Sequence, residues 1–571
     1  MQEKTVFRIG IIGGGPSALF MIKNLLGTGR KDISIDIFEK NEQLGAGMPY
    51  SSKGASFEHI TNVSDNEIPA LNQSIADWIE SHPLEALKYK IKPKDFNEYK
   101  VLPRLLFGEY LSNQFEALIQ EAKKQRLVIT THTGTMVDDV KYDAEKKTVE
   151  VFSTDKRYIF DIVVICIGHH WPKIYEGKVP GYFDSPYPPN KLNQELNQPV
   201  AIKGSSLTAI DAIRTLARHK GHYLRKENNV LQYKLNAGNE DFKIVMHSRN
   251  GFLPVVRFHL DDSHLKNQDI LTDEEIRAHR ELNGGFLSLN FVFEKNFKML
   301  FIEKDNSFYQ KIKNLSLEDF VNSMMELREE LHPFQLFKAE YIEAEKSIKR
   351  KQSIYWKEAL GILSIAINQP AKYFSAEDFI RLKKVLMPLI SVVIAYVPQS
   401  SCEELLALYE AKVLDLVAVG ENSQVIPEEK GGVYYEYLDE KNRKRKIYYP
   451  YYINCVGQAD LPIQKFPFRG LLDGKTLCQA TYLFRSEDEG QRYLATNPEE
   501  VELINGQYHL KVSGLAINDY FQLIDKYGAF NSHLYIMAAP YISGYNPDYS
   551  GLDFCDSASQ KVVEGILNFL E

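Results

Sequence analysis

Two glycine-rich turns in this chain have the residue types and spacing to cradle a phosphate. The first lies in RIGIIGGGPSALFMIKNLL, where Gly13, Gly15 and Ala18 form a G-x-G-x-x-A pattern. Gly13 permits a tight turn after a strand, Gly15 lets backbone approach a pyrophosphate, and Ala18 lets the next helix pack close to the strand. The helix start at Pro16 and Ser17 then offers free N–H groups and the positive end of the helix dipole. Glu39 follows at about the 20-residue distance where a carboxylate meets ribose hydroxyls. The second turn lies in VAIKGSSLTAIDAIRTL, with Gly204, Ser206 and Ala209 at the same spacing. Ser206 replaces the middle glycine, so its side chain crowds a pyrophosphate, although its hydroxyl can donate to one. Arg249 follows the next strand, where a guanidinium suits the 2′-phosphate of an NADP-type dinucleotide. Two such turns point to two dinucleotides facing each other. A second unit that packs but binds nothing is the other reading.

The elements that must hold these turns are legible in the hydrophobic pattern. Residues 6–12 and 34–39 read as buried strands around a helix at 17–26, one βαβ unit. Residues 161–167 (DIVVICI) form another buried strand ending at Gly168. Residues 200–203, 207–217 and 243–248 repeat the strand–helix–strand order, with a polar insertion at 220–241. From 255 to 394 the period is helical. There Ser316 and Asp319 resemble a capping box, and Leu317, Phe320, Val321 and Met324 share one face. Residues 433–438 and 446–449 flank the charged run Lys441–Lys446, which predicts a hairpin with that run in its turn. Residues 452–456 (YINCV) form a strand ending at Gly457, the arrangement already seen at Gly168. The expected fold class is α/β, with two Rossmann-like dinucleotide-binding domains and a mainly helical insertion. The expected boundaries are 1–190 and 441–571 for the domain of the first turn, 191–254 and 396–440 for the domain of the second, and 255–395 for the insertion.

Bulk properties narrow the function. The 571 residues carry a net charge of -8 with no long basic run, which argues against nucleic acid. Cys166, Cys402, Cys455, Cys478 and Cys555 form no C-x-x-C pair, so neither a dithiol centre nor a zinc knuckle is expected. The longest apolar stretch, 385–398, is too short to span a bilayer and reads as core. The N-terminus runs into a strand without room for a signal peptide, so a cytoplasmic location is expected. His169 and His170 are adjacent, point opposite ways when extended and lack a carboxylate cluster; they read as loop residues and no metal is expected.

A wider set of segments resembles a known family. GGGPSA, FEK, GAGMPYS (47–51 within it), ITNVSDNEIPALNQSIADWI, PRLLFGEYL, DIVVICIGHHWP, YYINCVG and the closing SGLDF are similar to FAD–NAD(P)-binding flavoproteins. These are distantly related to lysine/ornithine N-hydroxylases and flavin-containing monooxygenases. The resemblance implies FAD, with Gly13, Gly15, Pro16, Ser17, Ala18 and Glu39 holding its ADP half. It implies that Gly47, Met48, Pro49 and Tyr50 lie along the pyrophosphate or towards the flavin. Asn62, Arg104 and Gly168 match places where the family meets its cofactor. Leu207 and Thr208 match the family's G-x-G-L-T-A, so Gly204, Ser206, Leu207, Thr208 and Arg249 would hold NADPH, with NADH possible. The activity implied is an NAD(P)H-dependent monooxygenase using dioxygen on a small molecule, at an amine nitrogen in one form. A flavin oxidase or reductase without oxygen insertion, or a non-catalytic FAD-binding protein, is the alternative. No catalytic side chain is demanded by that chemistry.

Overall fold

The computed structural model describes residues 6–261, 271–458, 461–548 and 551–571. Two parallel sheets organise it. The first runs in the order Gln522–Ile524, Phe530–Ile536, Ile162–Ile165, Phe7–Ile12, Ile33–Phe38, Val128–His132. Every neighbouring pair is parallel except the first, which is antiparallel. Its central strands read FRIGII, ISIDIF and IVVI because both faces are covered, one by helices and the other by the antiparallel sheet Asp139–Asp143, Thr148–Ser153, Lys156–Phe160, leaving few positions for polar side chains. Helix Pro16–Gly27 buries Ala18, Leu19, Phe20, Met21, Ile22, Leu25 and Leu26. It packs against the last helix, Gly551–Leu570, and against Arg104–Lys124.

The second sheet runs Tyr182–Phe183, Tyr451–Asn454, Val200–Lys203, Ile244–Ser248, Leu414–Ala418, all parallel. Helix Leu207–Lys220 packs on one face. An antiparallel sheet of Gln424–Pro427, Val433–Leu438 and Lys444–Tyr449 packs on the other through Tyr435, Tyr449 and Val433. Two sequence expectations are corrected here. Tyr451–Asn454, taken with the closing FAD-domain elements, belongs to the second sheet, where Val200 to Lys203 pair with Tyr451 to Asn454. Both sheets use a strand-then-glycine ending, so the local sequence cannot tell which sheet the strand joins. Lys444 and Arg445, assigned to the turn alone, lie in the strand with Lys446, the three pairing with Leu438, Tyr437 and Glu436 respectively. Their side chains point to solvent from an edge strand, a common place for charge.

Between Asp273 and Val393 the chain is helical in the described residues. Ser316 caps helix Leu317–Glu330 by accepting the Asp319 N–H, and Leu317, Phe320 and Val321 are buried. Residues 262–270, within the helical stretch expected at 255–394, lie outside the described residues, as does Ser550 of the closing SGLDF segment. The helices do not form a satellite. Phe293, Phe320, Leu363 and Leu389 share one continuous core with Ile202, Ile213 and Met246 of the second sheet unit.

Candidate functional site

The first turn is shaped by contacts that only glycine tolerates. Gly13 has φ +104°, and a Cβ there would meet the Cys166 carbonyl oxygen at 2.5 Å. Its N–H donates to the Phe38 carbonyl at 2.8 Å, and Cys166 N–H donates to the Ile12 carbonyl at 2.7 Å. The turn is thereby tied to the strand on each side of it. Gly15 is the N-cap of helix Pro16–Gly27, and no side chain caps that helix. The uncapped N–H groups form the kind of cradle an anion fills. Gly15 faces Gly47, whose Cα would lie 3.3 Å from a Cβ on Gly15. The turn holding Gly47, Met48, Pro49 and Tyr50 thus lies against the first cradle. Glu39 is buried, accepting from Gly14 N–H at 2.8 Å and Asn41 N–H at 2.9 Å.

The second turn repeats this wiring atom for atom. Gly204 has φ +115°, and a Cβ there would meet the Cys455 carbonyl oxygen at 2.7 Å. Gly204 N–H donates to the His247 carbonyl at 2.8 Å, and Cys455 N–H to the Lys203 carbonyl at 2.8 Å. Ser206 is the N-cap of helix Leu207–Lys220, is exposed, and makes no capping hydrogen bond. Its φ of -93° needs no glycine, so the substitution leaves the turn intact. Thr208 Oγ1 faces Gly457, the glycine that follows the neighbouring strand. Matching the two units through their glycine hydrogen bonds aligns Glu39 with Ser248. No carboxylate therefore stands at the ribose position of the second turn. The exposed Arg249 follows directly.

The remaining expected residues fall in three places. Asn62 and Tyr50 line a cavity of about 930 Å³. Glu358 and Asn368 of helix Tyr355–Asn368, Asp548 and Phe554 close it from the other side. Burial pushes the Tyr50 phenol up to about 12, despite Arg104 nearby. The last helix starts beside the first cradle, where Cys555 Sγ lies 3.5 Å from Ser17 Oγ. Gly168 is exposed with open space around it, at the start of a strap leaving the first sheet. Arg104 is held by groups of both sheet units. Its Nη1 donates to Asp211 Oδ2 at 2.5 Å and its Nε to the Ile60 carbonyl at 3.1 Å. Asp211 also accepts from Tyr187 Oη at 2.7 Å. Burial alone would raise the Asp211 carboxyl, but Arg104 and His59 hold it below its ordinary value. Asp211 and Trp171 lie in motifs that the sequence matched, GSSLTAID and DIVVICIGHHWP, but neither was given a site role; Tyr187 carried no signal.

Residues 10–170 match the family model described as FAD-NAD(P)-binding, and residues 272–394 match the YdhS-like middle domain. Residues 10–170 are thus an FAD–NAD(P)-binding domain. It is similar to the uncharacterized protein YdhS of Escherichia coli (strain K12), 25% identical over 504 residues, covering 86% of this chain and 90% of that one. Among solved structures it is similar to the reduced ornithine hydroxylase PvdA of Pseudomonas aeruginosa, at 10% identity and TM-score 0.49, covering 99% of this chain and 100% of that one. It is also similar to the Kutzneria sp. 744 ornithine N-hydroxylase, at 9% identity and TM-score 0.46, covering 99% of each. Among the described residues no helix is long and apolar enough to cross a membrane.

Proposed function

We propose that the protein is an FAD-dependent oxidoreductase whose flavin is reduced by NADPH for oxygen insertion into a small molecule, an amine nitrogen being one form of target. The observation that carries the reading is the duplicated turn, with two uncapped helix starts wired alike to their sheets. Bound FAD would accept a hydride and supply the dioxygen chemistry. The chain's own residues bind and orient. The N–H groups at Pro16–Gly27 and Leu207–Lys220 receive the two pyrophosphates, each aided by its helix dipole. Glu39 is placed for ribose hydroxyls at the first site. At the second site Ser248 replaces the acid and Arg249 stands exposed beside it, which favours a 2′-phosphate and hence NADPH over NADH. The cavity behind Tyr50 and Asn62 has the size of a small-molecule site.

The cysteines argue against a dithiol reductase. All five are free. Cys555, beside the first cradle, is pushed up to about 12 by burial and stays a thiol rather than a reactive thiolate. The test is anaerobic titration of the FAD-loaded protein with NADPH, followed by oxygen and a panel of amines. Bleaching of the flavin, then oxygenated product matching NADPH consumed, is the expected result. Bleaching followed only by hydrogen peroxide would make the protein an oxidase. No bleaching with either nicotinamide would leave a protein that binds FAD without turning it over.

A further inference from the structure

Asp211 occupies an unfavourable place for an anion-binding helix. It lies in the second turn of Leu207–Lys220, behind the N–H groups that would receive a pyrophosphate. A bare carboxylate there is itself favoured by the helix dipole, but it offsets the positive potential offered to a phosphate and repels it. The structure neutralises it from the other domain. Arg104 opens helix Arg104–Lys124, which packs against the first cradle's helix, and its guanidinium meets Asp211 at 2.5 Å. Both side chains are nearly buried, 14% and 6% exposed. Around this pair His59 Nε2 lies 3.2 Å from the Asp211 carbonyl and 3.0 Å from Thr215 Oγ1 on the same helix. Thr215 in turn donates to Glu58 Oε1 at 2.5 Å.

The opposite side of the second turn is also held. The strap leaving the first sheet at Gly168 lies against the segment leaving the second sheet at Gly457. Trp171 Nε1 donates to the Gly457 carbonyl at 2.9 Å. The Gln458 side chain brackets the His170 backbone, accepting its N–H at 2.8 Å and donating to its carbonyl at 2.9 Å. Tyr187 joins the two grips, with its ring 5.3 Å from Trp171 and its hydroxyl on Asp211.

We propose that Arg104 and Asp211 are positioning residues that, with Tyr187 and Trp171, clamp the second dinucleotide turn in a fixed orientation to the first. Arg104 then acts through Asp211 and not on FAD. Hydride transfer proceeds without a swing of the second sheet unit. The proposal rests on the two-cofactor reading above, so its test has one readout that needs no cofactor chemistry. Spin labels at Leu84→Cys and Val230→Cys, both exposed positions, report the distance between the two units in a Cys478→Ser background. Arg104→Ala is expected to broaden or shift that distance distribution. It is also expected to slow flavin reduction at saturating NADPH by about 10- to 100-fold, the cost of a misplacement of about 1 Å, while FAD content stays at the parent level. Arg104→Lys restores most of both. If Arg104→Ala does not fold, Tyr187→Phe removes one hydroxyl from the clamp and is expected to move both readouts the same way by less. An unchanged distance distribution overturns the clamp. Loss of FAD from folded Arg104→Ala overturns it as well, and returns Arg104 to cofactor binding. If NADPH fails to reduce the parent flavin, the proposed function fails, and the distance measurement alone decides the clamp.

Discussion

His247 should make the second sheet unit acid-sensitive, by an amount that follows from its surroundings. The ring is 1% exposed and stacks on Tyr435 at 4.0 Å between centroids, with Tyr449 edge-on at 5.2 Å. Neither ring nitrogen has a hydrogen-bond partner among the described residues. Burial lowers its pKa from 6.5 to about 4. The folded state therefore binds the proton less readily than the unfolded chain, and stability falls as pH drops through 6.5 towards 4. Each tenfold difference in proton affinity between the two states is worth about 1.4 kcal/mol, and integration from pH 7 to pH 5 yields a loss of about 2 kcal/mol. The assay is native-state hydrogen exchange of residues 433–449, which cover His247, at the two pH values with intrinsic rates corrected. A local measure suits a protein of this size, which need not unfold in one step. His247→Phe keeps a ring in the stack and cannot titrate. The parent should lose about 2 kcal/mol more than this variant between pH 7 and pH 5. Equal losses would refute the reasoning, as would a parent that gains stability in acid. Because the His247 carbonyl accepts the Gly204 N–H, NADPH affinity should fall in acid before FAD is released.

Three other outcomes are expected. Gly13→Ala combines a φ of +104° with a Cβ 2.5 Å from the Cys166 carbonyl oxygen, and should cost about 3 kcal/mol in urea unfolding together with loss of FAD. Arg249→Ala removes a charge-assisted partner for the 2′-phosphate. It should weaken NADPH by about 10- to 100-fold in a binding titration while leaving NADH within about 2-fold. Cys555→Ser should leave NADPH oxidation within about 2-fold of the parent, since a thiol held protonated does no redox work; a steady-state assay reads this directly.

What the sequence determined by itself is local. Gly13, Gly15 and Ala18 after an apolar strand, and Gly204 with Ala209 after another, specify two phosphate-type turns, because backbone conformation and close approach exclude other residues there. The Ser316 cap and the buried face of its helix were equally legible, being set within a few residues. Tertiary structure decided what depends on partners distant in the chain. YINCV carries the same strand-then-glycine signal as DIVVICI, and only hydrogen-bond pairing with Val200–Lys203 assigns it to the second sheet. The charged run 441–446 took part of its length into an edge strand because the register with Val433–Leu438 required it. Arg104 read as a cofactor contact because its motif is local, while its partner Asp211 lies on another domain and becomes a neighbour only when the two sheets are packed together. Burial then makes that pairing obligatory, since neither charge could stay there alone.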